Sequence, residues 1–138
     1  MTAAEALLAE KAAAIERHLD RVAARLPADA SALVPMSDAS DAVILHLWQA
    51  VQAVIDLAVS ACVRRGLGSP ASYGEAFDKL AESGLIDTAL AGRLVRASGF
   101  RNVVAHAYAA LDMARVFRAA TDGPRDLRAF LAALRDAG

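Results

Sequence analysis

Between residues 43 and 62 the apolar side chains return at steps of three and four: Val43, Leu47, Val51, Val54, Ala58 and Cys62. That period puts them on one face of an α-helix and is incompatible with the two-residue alternation of a strand. Ile44, Trp48, Ile55 and Val59 widen the stripe. A stripe so wide has to be covered by more than one neighbour. Ser37 or Asp38 is placed to cap this helix, which runs to about Arg65 before Gly66, Gly68 and Pro70 end it.

The segments around it read as helices too. Leu7, Leu8, Ile15, Leu19, Val22 and Leu26 repeat at helical spacing until Pro27, which predicts a first helix over 2–26. Residues 27–37, with Pro27 and Pro35, form a connector. Ser72-Tyr73-Gly74-Glu75 has the form of a capping box and opens a short helix that ends at Ser83, with Gly84 as its left-handed terminator. Asp87 is placed to cap a fourth helix over 88–98, interrupted by Gly99. A fifth, ending near Ala120, and a sixth after the turn-like Asp122-Gly123-Pro124 complete the chain. No stretch alternates with period two. The expectation is an all-α fold: one domain, 1–138, built as an antiparallel helical bundle of five to six helices.

Charge and cysteine content narrow the function classes. The formal net charge is −1, so any nucleic-acid contact has to be a local patch and not a global basic field. Cys62 is the sole cysteine, which excludes an intrachain disulfide and reads as a buried thiol. The start, Met1-Thr2-Ala3-Ala4-Glu5, lacks the pattern of a signal peptide. The strongly apolar run Ala42–Ile55 is short for a bilayer span. A cytoplasmic protein with no membrane contact is expected.

One segment is chemically loaded. Arg101, His106 and Tyr108 follow the pattern Arg, four residues, His, one residue, Tyr, within an Ala- and Val-rich stretch. Imidazole titrates near neutrality, so His106 is suited to moving a proton to or from a ribose 2′-hydroxyl or a leaving oxygen. A guanidinium at Arg101 is suited to the charge that builds on phosphoryl oxygens. No Asp, Glu, His or Cys grouping near them has metal-ligand spacing, so metal-free chemistry without a cofactor is expected.

Helix geometry constrains the set. Residues seven apart share a face, which aligns Arg101 with Tyr108. Residues five apart diverge by about 140°, so Arg101 and His106 do not converge on a continuous helix. Asn102 and His106, four apart, are neighbours, which would let Asn102 orient the imidazole. Either Gly99 frees Arg101 from the helix, or two copies of the motif meet across a dimer axis and supply a second His.

The stretch Gly99-Phe100-Arg101-Asn102-Val103-Val104-Ala105-His106-Ala107-Tyr108 closely resembles the signature of the HepT toxins of the HEPN superfamily. Asp41 to Asp56, with Leu47 to Ala58, resembles their long central helix, and Ser72 to Phe77 with Leu80 and Gly84-Leu85-Ile86 resembles their connecting segment; the likeness spans about residues 38–134. What the resemblance implies is a homodimeric helical bundle, with larger assemblies left open. It implies a metal-independent endoribonuclease, the toxin of a type VII toxin–antitoxin pair, with Arg101 and His106 catalytic and Asn102 supporting them. Tyr108 matches the tyrosine that a cognate MntA-like nucleotidyltransferase antitoxin modifies with AMP to silence the toxin. RNA is the implied substrate and DNA is not expected. Many relatives place a His where this chain has Ser60, which bears on substrate choice.

Other polar residues read more plainly. His18 reads as solvated and His46 as a polar-face or satisfied residue; Arg64, Arg65, Arg93 and Arg96 offer a basic lip for phosphate backbone, though each taken singly reads as solvated surface. Trp48 reads as core or dimer interface, and Tyr73 as a packing anchor. Asp56 in an apolar helix needs a donor, and Arg101 is a candidate. Two further function classes stay open: a non-catalytic nucleotide- or substrate-binding partner of a nucleotidyltransferase, and a plain helical dimerisation domain.

Overall fold

The computed structural model describes residues 1–137. Its elements in chain order are α1 (Ala3–Arg25), a short 3₁₀ turn (Ala30–Ala32), α2 (Asp38–Arg64), α3 (Tyr73–Glu82), α4 (Thr88–Ala107), a second 3₁₀ turn (Tyr108–Ala110) and α5 (Met113–Asp136). The described residues form five α-helices and no strand, which is the all-α bundle expected.

Local chemistry sets most of the ends. The Ser37 hydroxyl accepts from the Ser40 amide and opens α2. Asp87 accepts from the Leu90 amide at 2.7 Å and opens α4. Ser72 accepts from the Glu75 amide, but the Glu75 carboxylate accepts from Ala71 and not from Ser72, so the capping box there is only half made. Gly84 stands at φ +85 after α3, a conformation an L side chain resists.

α2 is the axis of the bundle. Val43, Leu47, Val51, Val54, Ala58 and Cys62 are all buried, and α1, α3, α4 and α5 each pack on it. Cys62 lies within the core, its thiol donating weakly to the Ala76 carbonyl, and burial pushes its pKa up. α2 is longer than the apolar run within it. By length and composition it reaches what a bilayer span needs, yet half of that stretch is buried inside the bundle.

Cross-links show direction. His18 meets His46 and Lys11 meets Asp56, so α1 runs antiparallel to α2. Phe77 of α3 and Phe130 of α5 meet edge to face, centroids 5.7 Å apart, and tie the remaining helices into the same core. Leu7, placed on the apolar stripe of α1 by spacing, is instead exposed, and Ala12 fills the buried position.

The C-terminal half departs from expectation. Gly99 does not interrupt α4, which runs unbroken to Ala107. A glycine inside a helix costs only about 1 kcal/mol relative to alanine, less than burial of Leu94 and Val104 on either side returns. The break comes later, at 108–112, where the Asp112 carboxylate accepts from the Ala114 amide and starts α5. The expected fifth helix is therefore divided: its motif half continues α4, and its remainder from Met113 is continuous with the expected sixth. Pro124 lies inside it, and the stripe Val116, Ala120, Leu127, Phe130, Leu131 and Leu134 stays buried across it.

Candidate functional site

The last two turns of α4 carry the motif, and they are sparsely covered. Of residues 99–107 only Val104 is buried. Arg101 and Tyr108 both reach α2, Arg101 from within α4 and Tyr108 from the 3₁₀ turn that follows it. Arg101 Nε donates to Gln52 Oε1 at 2.7 Å, and its Nη1 donates to Asn102 Oδ1 at 3.3 Å. The guanidinium carbon lies 5.5 Å from the centroid of the Tyr73 ring on α3, within cation–π range.

The Arg101 side chain is thus pinned by two neutral amides and an aromatic face, and meets no carboxylate within ion-pairing distance among the described residues. A guanidinium carries five N–H donors, of which two are used here. The positive charge is held in place without being cancelled, which is the condition for binding an incoming phosphoryl group.

Gln52 is itself oriented. Its Nε2 donates to Asp56 Oδ1 at 3.0 Å, and Asp56 faces Lys11 Nζ at 3.6 Å. Asp56 is half-exposed and makes no direct contact with Arg101. The pair expected from the sequence does not form, because the Gln52 side chain one turn earlier occupies the place between them. Tyr73, read as a packing anchor, does pack against the core and also offers its face to Arg101. Asn102, expected beside the imidazole, is bonded to Arg101.

Tyr108 lies just past the end of α4, 39% exposed. Its hydroxyl donates to Asp41 Oδ1 in the first turn of α2. That bond to an anion, then burial, then the charge of Asp41, raise the phenol pKa to about 12. Asp41 and Gln52, which hold the motif, were not singled out by sequence. They are eleven residues apart, three turns of one helix, and so share a face, but nothing in that spacing names Arg101 or Tyr108 as the partner.

His106 is exposed and belongs to neither contact. Because α4 is continuous through Gly99, Arg101 and His106 diverge by the angle that five helical residues impose, about 140°. One subunit does not bring the two groups together. Elsewhere, His18 and His46 form a 3.0 Å Nδ1–Nδ1 contact between α1 and α2. His18 is therefore half-buried and paired, not solvated. Burial first, then neighbouring charge (His46 and Arg17 beside His18, Arg21 beside both, Arg25 beside His46), pulls both imidazole pKa values down. Ser60 accepts from Arg64, and Arg93 pairs with Asp126 at 2.9 Å. Trp48 is half-buried against the core, its indole N–H without a partner. Among the described residues no three His, Cys, Asp or Glu side chains gather as a cation site.

Comparison with known proteins identifies the family and the fold. The family described as Ribonuclease HepT-like matches residues 15–134. The mRNA nuclease HepT of Shewanella oneidensis is 31% identical over 107 residues, covering 78% of this chain and 80% of that protein. Two solved structures share the whole fold. One is a toxin–antitoxin crystal structure with AMP-PNP, 25% identical with TM-score 0.85, covering 94% of this chain and 98% of the other. The other is the tri-AMPylated Shewanella oneidensis HEPN toxin in complex with MNT antitoxin, 26% identical with TM-score 0.86 over 99% of both chains. The chain belongs to the HepT-like ribonuclease family.

Proposed function

We propose that this protein is the toxin of a HepT/MntA-like toxin–antitoxin pair, a metal-independent endoribonuclease whose site is completed by two copies of the chain. The observation that carries the reading is the unneutralised, fixed guanidinium of Arg101 on the same helix as a free imidazole that points elsewhere. A two-fold arrangement of α4 ends supplies each Arg101 with an imidazole from the partner. Asn102 supports Arg101 by accepting from Nη1.

In such a cleft one imidazole takes the proton of the ribose 2′-hydroxyl as its oxygen bonds to phosphorus. The P–O5′ bond breaks, and the second imidazole, protonated, gives its proton to the leaving 5′ oxygen. Arg101 stabilises the added charge on the phosphoryl oxygens. The products carry a 2′,3′-cyclic phosphate and a 5′-hydroxyl. Silencing follows from Tyr108: a cognate nucleotidyltransferase transfers AMP from ATP to the phenol oxygen, releasing pyrophosphate, and sets a phosphate beside the cleft where it repels RNA. The relatives solved as a tri-AMPylated toxin with MNT antitoxin support this role for Tyr108.

The test is RNA cleavage by purified protein in EDTA. Wild type cuts; Arg101→Ala and His106→Ala each do not. Mixing the two inactive variants does not restore activity if the cleft uses both imidazoles, since a mixed dimer carries a single His106; restored activity would show that one imidazole per cleft is enough. No cleavage by wild type, together with a mass gain at Tyr108 on incubation with ATP and the nucleotidyltransferase, would replace this reading with that of a nucleotide-binding partner.

A further inference from the structure

A second feature lies beside the motif. α4 and α5 part over α2 to leave a groove of about 420 Å³, within the roughly 300–1,000 Å³ range of ligand clefts. Its floor is apolar, with Leu47, Phe100 and Leu127. Its rim carries four arginines, Arg93, Arg96, Arg115 and Arg118, against two carboxylates, Asp122 and Asp126.

The charges are not balanced pair by pair. Arg93 is engaged by the buried Asp126 at 2.9 Å. Arg96, Arg115 and Arg118 meet no carboxylate within ion-pairing distance among the described residues. In a chain of net charge −1, gathering four arginines around one cleft against only two carboxylates raises its local potential and draws in anions. All four are arginines, whose planar fork fits phosphate oxygens.

An apolar floor beneath a cationic rim is the pattern that takes both parts of a nucleotide, bases on the floor and phosphates at the rim. The position fits too. Phe100 directly precedes Arg101, and Arg96 lies one turn before Phe100 on the same side of α4. Arg96 to His106 is ten residues, about 15 Å along the axis, the reach of a few nucleotides.

We infer that the α4–α5 groove is a ribonucleotide subsite, holding single-stranded RNA that flanks the scissile phosphate. The identity of the ligand rests on the nuclease reading, while the groove's affinity for a polynucleotide stands on its own charges.

The experiment uses fluorescence anisotropy of a short labelled single-stranded RNA, in EDTA, on full-length His106→Ala protein so that the probe is not cut. Adding Arg96→Gln and Arg118→Gln is expected to weaken binding by about tenfold or more. It should also flatten the slope of log K against log salt by about 1.4, two phosphate contacts at about 0.7 each. Arg96→Lys with Arg118→Lys keeps the charge and should keep the slope, which separates lost contacts from a lost fold. Phe100→Leu should lower affinity several-fold without moving the slope. Arg17→Gln with Arg25→Gln, on α1, should change neither.

Unchanged affinity and slope in the double Gln variant overturn the proposal. So does a loss confined to binding of a co-expressed nucleotidyltransferase, which would make the groove a protein-docking surface. If wild type cleaves RNA but the groove variants bind normally, the groove reading alone fails. If wild type binds RNA through these arginines but never cleaves it, the nuclease reading alone fails.

Discussion

The two halves of α4 are made of the same hydrogen-bonded helix and live in different surroundings. From Thr88 to Ser98 the helix buries Leu90, Ala91, Leu94 and Ser98. From Gly99 to Ala107 it buries Val104 alone, and Val103 is 46% exposed. The first half is held by packing. The second is held by two polar tethers to α2, Arg101 to Gln52 and Tyr108 to Asp41. A helix extended beyond its own packing presents side chains on a stiff frame while leaving them reachable. It also leaves an apolar strip that a second copy of the chain could cover. Stability and chemistry are thus divided along a single element, and that division is open to attack by substitution.

The largest effects belong to the exposed half and to activity. His106→Ala and Arg101→Ala should each lower RNA cleavage by about 10²–10⁴-fold and leave the thermal midpoint close to that of wild type. The packed half should behave in the opposite way. Leu94 is 1% exposed, and Leu94→Ala should destabilise the protein by about 2–5 kcal/mol in chemical denaturation while the folded fraction still cuts. A His106→Ala protein that unfolds as readily as Leu94→Ala would break the division.

Much of this was legible in the sequence, because the signals are local and periodic. The stripe on α2, the Ser37 and Asp87 caps and the Gly84 terminator depend on neighbours within a few residues, and the helices follow them. The motif was legible as a set of residue types. What holds it was not. Gln52 and Tyr73 reach Arg101 from helices distant in sequence, and nothing local in either segment names its partner. The boundaries around Gly99 and Pro124 misled for a related reason. Both are helix breakers by local propensity, and in both places burial on neighbouring turns outweighs that propensity. The Asp112 cap, the true break, is a weaker local signal than the Asp122-Gly123-Pro124 run after it.

Gly99 then becomes a way to sharpen the comparison, since it marks the border between the halves. A Cβ built there meets nothing within 4 Å. Gly99→Ala should therefore stabilise the protein by about 0.5–1 kcal/mol, as expected for replacing a strain-free helical glycine. If the stiffness of the exposed half is what serves cleavage, activity is kept or raised. A stabilised variant with much reduced activity would instead show that the motif end of α4 has to bend at this residue.

The smallest effect concerns the outer tether. Tyr108 donates to Asp41, and its pKa stands at about 12 because of that bond. Replacing Asp41 by Asn removes the anion, so the phenol should ionise nearer its ordinary value of 10. An ultraviolet absorbance titration, with Tyr108→Phe subtracted to isolate this phenol, reads the change directly. The sign for stability follows. A folded-state value raised above the unfolded one favours the native state fully below pH 10, and that contribution fades as pH rises toward 12. Both groups are solvent-facing, so the contribution is modest. The informative outcome is the titration itself. Coincident curves for wild type and Asp41→Asn would mean that the outer tether is not made in solution, and that Arg101 and Gln52 alone fix the exposed half of α4 against α2.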